Sequence, residues 1–344
     1  MTTTTHDRYV ATAWQGRLNA LADTTVGGRA FCRQLASATD VWIRALAESA
    51  REQHPRAPKF ALLAVGGFGR GELAPFSDID LLLVHDTKPP RIEPVASAIW
   101  YPIWDAGVKL GHAVRTLDEQ LDLAKDDLDT ATALLTARPI AGDAKLTSLV
   151  IDAGRANWTK RKKRFLSELH LRVKERQANA GDVAYLLEPD LKDGHGGIRD
   201  AQSLWWAAEA GLALPAQDVA ALDVCYEVLV HARVALHRAT GRAVEVLRLE
   251  DQDAAAAAAG AVDADALLAE IAAAARTVAW ISDETWGRFG RATGTHPAML
   301  APDILLLDGE VELAPDANPS KDPTLVLRVA TAAARKQARI GRKS

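Results

Sequence analysis

The chain has 344 residues, 48% of them hydrophobic, and a formal net charge of −4 at pH 7. That length suits one large domain or two ordinary ones with a real core, and the charge balance gives no global basic field to recruit nucleic acid. Two cysteines without metal-ligand spacing fit a reducing cytoplasm and argue against a disulfide scaffold. Residues 1–6 are polar and lack the apolar core of a signal peptide, and no apolar run approaches membrane-spanning length. The expectation is a soluble cytoplasmic protein with neither nucleic acid nor membrane as partner.

Residues 9–53 read as two helices broken at Gly27-Gly28, with Ile43, Leu46 and Ala47 on a packing face. This is a brace and proposes no chemistry. The informative stretch is 60–86, FALLAVGGFGRGELAPFSDIDLLLVHD. Residues 61–65 and 81–84 are apolar runs of buried-strand length. Between them Gly66, Gly67, Gly69 and Gly71 permit a sharp turn and close approach of a ligand, and such turns present backbone N–H groups to phosphate. Asp78 and Asp80 lie two apart on a strand and so share a face. Two oxygen ligands beside a phosphate cradle are what a Mg²⁺–triphosphate complex requires. Phe68 and Phe76 read as packing residues, and Glu72 as a partner for Arg70.

After Pro89-Pro90 a helix is expected over 92–105, with Trp100, Tyr101 and Trp104 as core aromatics, and then a third strand over 108–114. That strand offers Lys109, His112 and, just beyond it, Arg115, none of them acidic. Thr116 and Glu119 form a capping-box pattern. Short helices follow, separated near 138–142, and then a long charged helix over 155–177. A second glycine cluster occupies 185–206, YLLEPDLKDGHGGIRDAQSLWW. It reads as a loop feeding a helix, with acids and cations as candidate ligands. Beyond it the pattern is helical: an amphipathic helix over 219–240, then an alanine-rich loop and helix over 251–289 with Trp280 and Trp286 as packing residues. A hairpin over 304–313 turns at Asp308-Gly309, and a last helix covers 323–337 before a basic tail.

The first cluster, VGGFGRGELxPxSDIDLLL, resembles the signature of polymerase-β-type nucleotidyltransferases, and specifically the nucleotidyltransferase domain of the bacterial PII uridylyltransferase/uridylyl-removing family. The second, EPDLKxxxGGIRD, is similar to a further signature of that family at the expected distance. The resemblance implies an α+β fold: a polymerase-β-like lobe with a small mixed sheet, then a mainly helical domain. The expected divisions are 1–56, 57–153, 154–300 and 301–344. It implies transfer of UMP, or AMP, from UTP or ATP to a tyrosine hydroxyl of the PII signalling protein, with Mg²⁺ as cofactor. Asp78 and Asp80 take the catalytic and metal-binding roles. Gly66, Gly67, Gly69, Arg70, Ser77, Lys192, Gly196, Gly197 and Arg199 bind nucleotide, and Glu188 or Asp200 is a candidate additional acid. Alternatives are a nucleotide-binding module without turnover, or transfer to another acceptor. No His-Asp doublet follows the second motif, so no uridylyl-removing activity is expected from this chain.

Overall fold

The computed structural model describes residues 5–86, 91–291, 298–307 and 309–341. The chain divides into two compact units, Met1–Ile281 and Ser282–Ser344. In the first, α1 (Thr5–Ala22) and α2 (Gly28–Gln53) are the expected pair of helices. α2 buries Phe31, Leu35, Trp42, Ile43 and Leu46 along one stripe. Gly28 opens it at φ +54°, a backbone conformation that suits glycine.

A four-stranded sheet follows, built from β1 (Phe60–Ala64), the single helical turn α3 (Gly66–Gly69), β2 (Ile79–His85), α4 (Glu93–Asp105), β3 (Leu110–Thr116) and, later in the chain, β4 (Arg138–Gly142). The strand order is β3-β2-β1-β4. β1 runs antiparallel to β2 and β4, whereas β2 and β3 are parallel, so the sheet is mixed. A parallel pair needs a crossover, and α4 supplies it. Every residue of β1 and all of β2 except Asp80 are buried, which is why both segments read as continuous apolar runs. One face of the sheet packs Ala61, Leu63, Leu82 and Val84 against Leu134, Leu146 and Val150.

The strand β4 occupies 138–142, where sequence patterning suggests only a gap between helices. It is short and carries Pro139, which an edge strand tolerates. The capping box forms as expected at α5 (Leu117–Asp126), with Thr116 accepting from the Glu119 amide at 3.2 Å and Glu119 accepting from the Thr116 amide at 2.8 Å. After α6 (Leu128–Leu135), the expected long helix is instead two: α7 (Ala144–Lys160) and α8 (Lys162–Ala180), interrupted at Arg161. The break lets buried Trp158 and Phe165 stack at 4.9 Å with planes 11° apart, a packing gain that apolar periodicity does not reveal.

Helices α9 (Ile198–Glu209), α10 (Ala216–Thr240), α11 (Leu249–Ala259) and α12 (Ala264–Arg291) complete the helical part. The alanine-rich segment is therefore a helix, a left-handed Gly260 cap at φ +73°, and another helix, rather than a loop and one helix. Some expected packing residues lie outside: Phe76, Tyr101, Trp104 and Trp280 are exposed, while Phe68, Trp100 and Trp286 are buried. Among the described residues no helix is long and apolar enough to cross a membrane.

The second unit contains a small sheet of order β5-β6-β7-β8: β5 (Ala298–Ala301), β6 (Ile304–Leu307), β7 (Glu310–Leu313) and β8 (Arg339–Ile340). Helix α13 (Leu325–Lys336) packs Leu325 and Val329 on Ile304 and Val311. The expected hairpin is β6–β7, closed by the Leu307–Glu310 pair. Gly309 has φ +80°, while Asp308 lies outside the described residues, as do Pro89-Pro90 and the last three residues of the basic tail.

Leu63 is fully buried in the middle of β1. Replacing it with alanine is expected to cost about 2–5 kcal/mol of stability, measured by urea unfolding, because the cavity left between sheet and helices cannot fully collapse.

Candidate functional site

The backbone leaves β1 at Ala64 and winds once through α3 before looping back to β2. Arg138 of β4 holds this turn from below. Its guanidinium donates to the carbonyl of Phe68 at 3.1 Å, lies 5.4 Å from the Phe68 ring centroid and is itself paired with Asp40 of α2. The three leading glycines have different jobs. A Cβ on Gly69 would stand 2.5 Å from the Thr136 carbonyl oxygen and 2.9 Å from that of Ala64, so this glycine permits close packing. Gly66 has φ +59°, and a Cβ there would come within 2.8 Å of the Asp80 carboxylate. Gly67 has only ordinary contacts, the nearest at 3.7 Å, and lines a cavity.

That cavity measures about 1060 Å³. Asp78, Asp80, Ser77, Gly66, Gly67 and Arg70 border it from the sheet side; Lys192 and Arg199 border it from the second glycine segment. Asp78 is exposed just before β2, and Asp80 is half-buried on β2 opposite Gly111 of β3. Gly111 is needed there, because any side chain would collide with the Asp80 carboxylate. Burial and then the charge of Asp78 push the Asp80 carboxyl up to about 6, against the pull of Arg70 and Lys192. The hydroxyl of Ser77 is buried and has no hydrogen-bond partner among the described residues.

Other predicted residues have structural surroundings. A Cβ on Gly197 would meet the carbonyl oxygens of Gly194, Leu191 and Lys192 at 2.8–3.0 Å, and one on Gly196, at φ +82°, would strike that of Ala275. The fully buried carboxylate of Asp200 pairs with Arg176 and accepts from Gln177 at 3.0 Å and from the Gly196 amide at 2.8 Å. Glu188 accepts from the Leu249 amide at the start of α11, at 3.0 Å. None of these four, nor Gly69, borders the cavity. Expected as possible extra acids of the site, Asp200 and Glu188 instead hold the loop and a helix start. His112 also lies away from the cavity, its ring between Trp100 and Trp104 at 5.6 and 5.4 Å.

The cavity also gathers residues that no motif announces. Glu245 accepts two hydrogen bonds from Arg233, at 2.7 and 2.6 Å, and one from Lys192 at 3.3 Å. Burial opposes its ionisation, but the Arg233 hydrogen bonds and the charges of Arg233 and Lys192 prevail and hold its carboxyl at about 2. Beside it His237 is buried and kept neutral, with its pKa lowered to about 4 by burial and Arg233. Its Nδ1–H donates to the Pro75 carbonyl at 2.6 Å, which fixes the loop leading to Ser77 and Asp78. Arg172 is tied to Asp129 at 2.7 Å, whereas Lys109 has no ion pair among the described residues. These contacts join residues from 12 to 162 positions apart, so local spacing carries no trace of them.

A strand-end pair of carboxylates, a glycine turn and a ring of cations suit a metal-bound polyphosphate. Two family models match: one described as a nucleotidyltransferase domain, over residues 43–153, and one described as GlnD PII-uridylyltransferase, over 164–286. The bifunctional uridylyltransferase/uridylyl-removing enzyme of Streptomyces coelicolor is 39% identical over 340 residues, covering 92% of this chain. The chain belongs to the uridylyltransferase family of nucleotidyltransferases. The enzyme of the same name from Mycobacterium tuberculosis is 40% identical over 295 residues, 80% of this chain, and that of Phenylobacterium zucineum 37% identical over 250 residues, 66% of it. This uridylyltransferase relative spans 40% of the length of the Streptomyces enzyme and 36% of that of the mycobacterial one. The first matched segment brings the turn and both aspartates; the second brings Lys192, Arg199, Arg233 and Glu245.

Because the folded pKa of Asp80 lies above the ordinary carboxylate value, its protonated form is favoured in the fold, and that contribution to stability is lost as pH rises through about 6. Asp78→Asn removes the like charge and should lower the Asp80 midpoint, followed by carboxyl carbon NMR; burial should keep it above its ordinary value. Gly67→Val should fold with little loss, whereas Gly69→Ala should lower the melting temperature, since only the latter drives a Cβ into backbone oxygens.

Proposed function

We propose that the chain transfers a nucleoside monophosphate from a nucleoside triphosphate, UTP with ATP as the alternative donor, to a tyrosine hydroxyl of the PII nitrogen-signalling protein. The observation that carries this reading is the pair Asp78 and Asp80 beside the Gly66–Gly67 turn on one side of a cavity that Arg70, Lys192 and Arg199 also line. The named acceptor rests on the match to a model described as PII-uridylyltransferase and on the names of the relatives.

The donor set fits Mg²⁺. Magnesium commonly takes one or two carboxylates and completes its shell with water and substrate phosphates, so two aspartates suffice although no group of three or more acids, histidines or cysteines is poised for a metal among the described residues. Burial, and then the charge of Asp78, disfavour the Asp80 carboxylate, an arrangement a divalent cation would relieve. When bound, the ion supplies neutralisation of charge building on the phosphates.

The protein's own residues do the rest. The amides of Gly66 and Gly67 and the Ser77 hydroxyl receive phosphate oxygens, with Arg70, Lys192 and Lys109 among the cavity's cations to share the charge. The tyrosine hydroxyl loses its proton to water as its oxygen attacks the α-phosphorus, the bond from that phosphorus to the bridging oxygen breaks, and pyrophosphate leaves with that electron pair. With the His237–Pro75 contact locking the loop, Asp78 and Asp80 are in place before substrate arrives, and little reorganisation is required at the moment of transfer.

Asp80→Asn and Asp78→Asn are each expected to lower the rate of labelled nucleotide transfer from Mg–UTP or Mg–ATP to PII by orders of magnitude, with circular dichroism and melting temperature little changed. Wild-type turnover in either variant would remove that carboxylate from the mechanism. Triphosphate binding by the wild-type chain with no labelled PII under any donor would favour the binding-module reading instead.

A further inference from the structure

Arg70 is the cation of the glycine turn that borders the cavity, and its side chain is held at one atom. Its Nε donates to Glu72 Oε2 at 2.6 Å, while its Nη2 stands 3.8 Å from the point a Cβ on Gly67 would occupy. The two terminal nitrogens carry no hydrogen bond or ion pair among the described residues. The head of the guanidinium therefore overhangs the turn and faces the cavity, and its charge reaches Asp80.

The same oxygen of Glu72 has a second donor from far along the chain. The hydroxyl of Tyr226, on α10, donates to Glu72 Oε2 at 2.8 Å, and Gln202 Nε2, on α9, donates to the Tyr226 oxygen at 2.8 Å. Both Tyr226 and Gln202 are buried. Burial, and then the negative charge of Glu72, raise the phenol pKa far above its ordinary value, so the hydroxyl keeps its proton and its direction of donation at any working pH. The ring cannot swing: Trp205 meets it edge-on at 4.6 Å, and the Arg29 guanidinium covers its face at 5.5 Å. Glu72 is thereby fixed by an immobile donor, and Arg70 by Glu72.

We infer that Gln202 and Tyr226 are positioning residues for the phosphate-facing arginine: a hydrogen-bonded relay, Gln202–Tyr226–Glu72–Arg70, by which the helical segment sets the guanidinium over the glycine turn before a triphosphate binds. An arginine side chain carries substantial rotamer freedom, and pinning Nε removes part of that entropy from the binding step while the terminal nitrogens stay available. The two ends of the relay lie in different matched segments, Arg70 and Glu72 in the nucleotidyltransferase segment and Gln202 and Tyr226 in the uridylyltransferase one. It rests on the reading that the turn holds a triphosphate.

The test is the affinity of the full chain for Mg–UTP, by calorimetry, in the wild type and in Tyr226→Phe, Arg70→Ala, the double variant and Asp80→Asn. Tyr226→Phe is expected to weaken binding about three- to tenfold with its melting temperature within a few degrees of wild type. In the Arg70→Ala background the same change is expected to add nothing, because the group it positions is gone. Gln202→Met, which leaves Glu72 and its donor in place, provides a second variant with a smaller loss in the same direction should Tyr226→Phe fail to fold. Wild-type affinity in both Tyr226→Phe and Gln202→Met, alongside weakened binding in Arg70→Ala, would overturn the relay and leave the triphosphate reading intact. An equal loss from Tyr226→Phe with and without Arg70 would overturn it too. Unchanged Mg–UTP affinity in Arg70→Ala together with unchanged transfer in Asp80→Asn would instead sink the triphosphate reading, and the relay with it.

Discussion

The site depends on keeping two like charges close together at the end of a buried strand. Asp80 is the one residue of β2 that is not buried, and it sits between Gly66 and Gly111, both of which would obstruct its carboxylate if they carried side chains. Burial, and then the charge of Asp78 at the mouth, raise the cost of ionising it. Such repulsion is tolerated only where the surrounding backbone is held from elsewhere. Arg138 holds the underside of the turn, and the neutral His237 holds the loop carbonyl at Pro75. The scaffold contributes fixed position, and the repulsion remains available to be relieved by a cation.

Sheet and helices divide the work in a way that the linear order already hints at. The sheet contributes short-range geometry, since turn and carboxylates are separated by a single loop. The second glycine loop and the helices after it contribute charge, with Lys192, Arg199 and Arg233 arriving at the cavity from segments more than a hundred residues later. Several of these cations come with an acid attached: Arg199 with Asp193 at 3.2 Å, Arg233 and Lys192 with Glu245. Paired in this way they can border a half-enclosed cavity without the full desolvation cost of isolated charges.

Much of this was legible because β1 and β2 are buried on both faces and the turn between them needs glycine. Those requirements act on neighbouring residues and leave a continuous pattern, so the two strands, the turn and the aspartate pair can be read directly. The capping box at Thr116 and the Arg70–Glu72 pair are legible for the same reason. What was hidden is non-local. β4 is a five-residue edge strand containing Pro139, with too little pattern to distinguish it from a loop. The interruption at Arg161, across which Trp158 stacks on Phe165, has neither proline nor glycine to mark it. The second glycine cluster shows the limit most clearly. Lys192 and Arg199 reach the cavity, while Gly196, Gly197 and Asp200 within the same short string support the loop that carries them. Spacing alone cannot separate those roles.

The double use of Glu245 has a consequence for charge balance. Its carboxylate is shared between Arg233, gripped through two short hydrogen bonds, and Lys192, held more loosely at 3.3 Å. An anion entering the cavity can draw the ammonium away without stranding the acid, because the guanidinium remains to neutralise it. On the proposed reading the lysine would turn towards an incoming phosphate while Arg233 keeps the acid behind it electrically satisfied.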